Sequence, residues 1–205
     1  MANAADNAFQ KVQIQRDDTV FDAYVVGKEQ APGIVVLQEC LYRGKVGLDV
    51  AEAQHLMDGL DGQDAIKDIR AVINWLKAGG SAKVGVTGFC MGGALSIASG
   101  VLIPEVDAVV AFYGIPSSEL ADPSLIKAPV QAHFGELDSF VGFSDITAAK
   151  ALDAKLKSSG FPFEVHTYPG IAYAFMNPSP EGIKRRKAMG ICGLLVSIAL
   201  NKSWM

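Results

Sequence analysis

Residues 83–93, Lys-Val-Gly-Val-Thr-Gly-Phe-Cys-Met-Gly-Gly, restrict the fold of this chain more than any other stretch. The apolar run 83–87 reads as a buried strand, and the small residues that follow Gly92 read as a helix. The chain must therefore turn sharply from strand to helix around Cys90. Such a turn brings its two arms so close that side chains two residues before and two after the apex have no room. Gly88 and Gly92 stand at those two positions. A strand that feeds straight into a helix is the repeating unit of a parallel sheet crossed by helices.

The rest of the sequence repeats the alternation. Residues 11–15 and 20–26 read as two short strands separated by Asp17-Asp18, close enough for a hairpin. The β-branched run 33–38 is expected to be a strand buried on both faces. Residues 49–78 look helical with a break at 59–62. The second piece presents Ile66, Ile69, Ala71, Val72, Ile73, Trp75 and Leu76 on one broad face and stops at Gly79-Gly80. Residues 106–113, 130–134 and 163–168 read as further strands, with an amphipathic helix over about 143–158. No repeat, linker or low-complexity tract interrupts the series. Residues 1–205 are expected to form a single domain, of a length that allows a sizeable core.

Charge and cysteine content narrow the function. The net charge of -4 comes from 18 basic and 22 acidic residues that are scattered, so no basic stripe offers itself to nucleic acid. Cys40, Cys90 and Cys192 are odd in number and far apart, without CxxC or His at metal-ligand spacing, so neither a disulfide framework nor a metal site is expected. Residues 1–10 lack the basic and apolar regions of a secretory signal, and the apolar stretch 190–200 is too short to span a membrane. These features fit a cytoplasmic protein with no membrane partner; they leave the oligomeric state open.

Cys90 at the apex of the turn would project above the carboxyl ends of the strands, where open α/β sheets hold their ligands. Its place at a helix N-terminus favours thiolate. The backbone N–H of Met91 is the expected oxyanion donor.

Four segments together give the chain a resemblance. They are Gly88-Phe89-Cys90-Met91-Gly92, Gln38-Glu39, Gly135-Glu136-Leu137-Asp138 and Tyr168-Pro169-Gly170-Ile171-Ala172-Tyr173-Ala174-Phe175. From about residue 10 to 190 the chain resembles the dienelactone hydrolase, or carboxymethylenebutenolidase, family of the α/β-hydrolase superfamily. The resemblance implies an α/β fold, with a mostly parallel sheet and helices on both faces. It implies hydrolysis of ester or lactone bonds in a small-molecule substrate, without a cofactor. It also implies that Cys90 is the nucleophile, that Glu39 controls its protonation and that Asp138 is the triad acid. Arg43 is the nearby candidate for gripping a substrate carboxylate.

Three features depart from the family pattern. Tyr173 occupies the position of the family's triad histidine. A tyrosine ionises near pH 10 and a histidine near 6.5, and that difference of roughly 3.5 units is worth about 4.8 kcal/mol, several decades of rate. His166 reads as a strand side chain, His133 as a satisfied core residue and His55 as part of a polar helix, so none is an evident substitute. The helix–strand unit that should follow Gln38-Glu39 is missing, which removes a strand between the N-terminal hairpin and strand 33–38. The closing amphipathic helix is also absent, and its loss together with the first would leave one sheet face short of cover. The expected function is therefore a shortened hydrolase with impaired turnover; the alternative is a catalytically silent scaffold that binds a small molecule or a protein partner.

Overall fold

The computed structural model describes residues 10–27, 30–37, 55 and 59–176. β1 (Gln10–Arg16) and β2 (Thr19–Val25) form an antiparallel hairpin. Its turn places Asp17 at φ 48, a conformation that aspartate tolerates better than most residues. Among the described residues the hairpin pairs with no other strand. It is fixed to the first helix by Arg16, whose guanidinium reaches Asp64 at 2.7 Å and Asp68 at 2.8 Å.

β3 (Gly33–Leu37), β4 (Val84–Phe89), β5 (Ala108–Phe112), β6 (Val130–Gly135) and β7 (Phe163–Tyr168) form one all-parallel sheet whose spatial order follows the sequence. The helices are α1 (Gly62–Ala78), α2 (Met91–Leu102) and α3 (Ile146–Ser159). α1 starts where the Asp61 side chain accepts the N–H of Asp64. α3 starts where Asp145 accepts the N–H of Thr147, and it stops at Gly160, whose φ of 78 is left-handed.

Parallel strands laid down in sequence order by right-handed crossovers place every connecting helix on the same face. The packing agrees. Val35, Val86, Val109 and Phe134 of alternate strand positions join Ile69 and Ile73 of α1, Leu95 of α2 and Leu152 of α3 in one apolar cluster. The two helices that would cover the second face are the ones expected to be missing, and the stretches concerned, 38–54 and 177–205, lie outside the described residues.

The second face carries a row of rings in register across four strands: Phe89, Phe112, His133 and His166. Successive rings are stacked with centroids 5.0, 4.8 and 5.0 Å apart. The Gln131 amide donates to Glu164, which turns its carbonyl oxygen toward His133. His133 therefore donates from Nε2 to Gln131 Oε1 at 3.2 Å and accepts at Nδ1 from the Tyr168 hydroxyl at 2.8 Å. Burial, reinforced by His166 beside it, pushes the pKa of His133 down to about 3. It is a neutral core histidine, as expected.

One expectation fails at β3. Only Gly33, Val35 and Leu37 are buried, while Ile34 and Val36 are 38% and 54% exposed. Among the described strands β3 pairs with β4 alone. The position beyond it is the one from which a strand was expected to be missing.

Candidate active site

β4 ends at Phe89 and α2 begins at Met91, leaving Cys90 alone at the bend with φ 56 and ψ -122. A side chain held in that region is strained, by on the order of 1–3 kcal/mol. Two backbone bonds hold it there. The Cys90 N–H donates to the Phe112 carbonyl at 3.0 Å, and the Ala94 N–H donates to the Cys90 carbonyl at 3.1 Å. Both flanking glycines are required by space. A Cβ on Gly88 would lie 2.3 Å from the Gly92 carbonyl oxygen, and one on Gly92 would lie 2.2 Å from that of Leu37. Met91 occupies the first position of α2, where a backbone N–H has no partner within the helix.

The loops after β6 and β7 are tied together beside this bend. The Glu136 N–H donates to the Tyr168 carbonyl at 3.0 Å and the Leu137 N–H to that of Ile171 at 2.8 Å. Asp138 is thereby turned inward and is only 6% exposed. One carboxylate oxygen, Oδ1, accepts the Phe140 N–H at 3.0 Å. The other, Oδ2, is buried and has no hydrogen-bond partner among the described residues. That is an unusual condition for a carboxylate oxygen and one that costs stability.

Tyr173 completes the group. Its hydroxyl donates to Cys90 Sγ. Its ring packs on Phe140 with centroids 4.5 Å apart and edge-on to Tyr113 at 5.2 Å. Burial first, then the hydrogen bond to Cys90 and the nearby charges, Asp138 among them, hold the phenol above the ordinary tyrosine range. Residues 90, 138 and 173 thus converge, although they come from three different loops.

Strain converges as well. Five non-glycine residues among those described have positive φ, and three of them are here: Cys90, Tyr113 at 39 and Ala174 at 57. Tyr113 and Phe140, which box in the phenol, were not singled out from the sequence. The aromatic residue directly after the apolar run 106–112 and the apolar pair after Asp138-Ser139 were the available signals. Leu137, Phe140 and Val141 form an exposed apolar rim on the Asp138 loop. Glu39 and Arg43 lie outside the described residues.

The chemistry this arrangement permits is specific. It offers a sulfur at a helix N-terminus, a neutral hydroxyl donor touching that sulfur and a buried carboxylate with one oxygen free to accept. None of the three histidines takes part. His133 and His166 belong to the ring row described above, and His55 is exposed. Among the described residues no group of three His, Cys, Asp or Glu side chains could hold a metal ion, and no helix is long and apolar enough to cross a membrane.

Residues 30–190 match the model of the dienelactone hydrolase family. The chain is 32% identical over 160 residues to protein usf of Aquifex pyrophilus, covering 74% of this chain and 67% of that one. It is 28% identical over 141 residues to a carboxymethylenebutenolidase of Pseudomonas putida, covering 64% of this chain and 55% of that one. The match thus spans about two thirds of the first relative and about half of the second. A solved dienelactone hydrolase-like promiscuous phosphotriesterase from metagenomic libraries superposes with a TM-score of 0.66 at 18% identity, covering 89% of this chain and 95% of that one. At that identity the likeness concerns the fold.

Proposed function

The chain belongs to the dienelactone hydrolase family, and from that membership and the geometry at Cys90 we propose that it cleaves ester or lactone bonds in a small substrate through a cysteine nucleophile, with turnover slowed by Tyr173. The observation that carries the reading is the Tyr173 hydroxyl donating to Cys90 Sγ beside the buried Asp138 carboxylate. In this proposal Cys90 attacks the carbonyl, and the Met91 N–H receives the developing oxyanion. Glu39 poises the charge of the thiol, Arg43 receives any carboxylate on the substrate, and Asp138 is set to orient a base. Tyr173 fills the place of that base but is held protonated at neutral pH. The apolar rim of Leu137, Phe140 and Val141 suits a substrate with an apolar acyl or leaving group.

The test is release of p-nitrophenol from p-nitrophenyl esters by the wild-type chain and by Cys90→Ala. Loss of release in the variant, at an unchanged melting temperature, is the expected result. A catalytically silent scaffold is the competing reading, and the protonated phenol is what favours it. Equal release from both proteins, at the rate of free buffer, would select the scaffold.

A further inference from the structure

The two halves of a cysteine-dependent ester cleavage make different demands on the protein. In the first half the thiolate sulfur attacks the ester carbonyl and a C–S bond forms. The C–O bond then breaks, and its electron pair leaves with the alkoxide or phenoxide. An aryl oxide departs without a proton donor and takes a proton from water afterwards. In the second half a water molecule attacks the thioester carbon and must lose a proton while doing so, which calls for a general base.

Among the described residues the site is equipped for the first half only. Its sulfur sits at the strained bend, and the Tyr173 hydroxyl contacts it as a donor. Tyr173 offers a single polar atom, and that atom is committed to the sulfur. Asp138 Oδ2 is buried and, among the described residues, has no hydrogen-bond partner, so none of them is oriented by it. A nucleophile that arrives already deprotonated would not need the missing base. A small thiol is such a nucleophile, because a useful fraction is thiolate near pH 8.

Resting on the reading of Cys90 as the nucleophile, we propose that the wild-type chain takes up one acyl group on Cys90, keeps it as a thioester, and passes it to a small thiol in preference to water. In the transfer the incoming thiolate attacks the Cys90 thioester carbon, a new C–S bond forms, and the Cys90 C–S bond breaks to return the thiolate. No oxidant or reductant takes part, and the acyl group changes carriers at the same oxidation level.

The experiment uses the full chain with p-nitrophenyl acetate at about pH 8. The expected result is one equivalent of p-nitrophenol per chain in a burst, followed by a plateau. The intact mass should rise by one acetyl group, and peptide mapping should place that group on Cys90. Added β-mercaptoethanol should discharge the adduct at least about tenfold faster than buffer alone. Tyr173→Phe, which also lacks a base, should still accumulate the adduct, whereas Tyr173→His should turn over continuously without it. Continuous release by the wild type with no adduct, abolished by Cys90→Ala, would overturn the trap and leave Cys90 as nucleophile. An adduct indifferent to the thiol would overturn the transfer. No release, with Cys90 still alkylated by iodoacetamide, would overturn the proposal alone. Release and adduct undiminished in Cys90→Ala would overturn both the proposal and the reading beneath it.

Discussion

An imidazole has two nitrogens on opposite edges of its ring, while a phenol has one oxygen, and at position 173 this difference decides which neighbours are satisfied. The Tyr173 oxygen meets Cys90 Sγ, and Asp138 Oδ2 has no hydrogen-bond partner among the described residues. Asp138→Asn should therefore change p-nitrophenyl ester turnover less than about tenfold in the wild-type background. In the Tyr173→His background it should cost at least about a hundredfold, because an imidazole would then need the carboxylate to fix its tautomer. Steady-state rates of the four proteins check this. His133 supports a second residue-scale prediction. Its folded pKa is lowered to about 3, so the stability it confers is complete above the unfolded value near 6.5 and is lost as pH falls toward 3. Between pH 6.5 and 5 the loss should be about 1.6 kcal/mol, in a window above the titration of ordinary carboxylates. Urea midpoints of the wild type and His133→Gln at the two pH values should show the slope in the first and not in the second. That a tyrosine stands where the resemblance places a histidine was legible from residues 168 to 175 alone. Contact between that tyrosine and the sulfur was not, because it depends on how two loops distant in sequence are tied together.

Among the elements, the strand–bend–helix of β4 and α2 is the most tightly determined. Its two glycines touch backbone rather than adaptable side chains, so no rotamer change can make room for a methyl group. Gly92→Ala would drive its Cβ to 2.2 Å from the Leu37 carbonyl oxygen, and β3 and α2 would have to separate. A loss of about 3 kcal/mol or more is expected, measured as a shift in the urea midpoint. This element could be read from the sequence because a single short segment contains the strand, the bend, both glycines and the start of the helix. Helix α3 was legible from its amphipathic pattern over about 143–158; the structure starts it at Ile146, after the Asp145 cap, and stops it at Gly160. β3 was misjudged. A run of β-branched residues is the same whether one or both faces of its strand are covered, and what packs over a face comes from elements distant in sequence. Trp75 likewise sits on a predicted apolar face yet remains substantially exposed, since periodicity gives the stripe and not its width.

For the whole molecule, the sheet order explains both what is covered and where the site lies. All five parallel strands place their carboxyl ends on one edge, and the loops bearing Cys90, Asp138 and Tyr173 all leave from that edge. One apolar cluster runs from β3 to β7 and takes in all three described helices. A single cooperative calorimetric transition is therefore expected, as for one domain; two resolved transitions would contradict it. The family and the α/β architecture were legible because they depend on short motifs in a fixed order. The roles of Glu39 and Arg43 remain proposals from resemblance. The central claim is that Cys90 is a nucleophile facing a base position filled by the wrong residue. Steady turnover of a p-nitrophenyl ester by Tyr173→His, relative to wild type, tests it most directly. A rise of at least about a hundredfold, abolished by adding Cys90→Ala, is predicted. An unchanged rate in a folded variant, or a rise that survives loss of the sulfur, would contradict it.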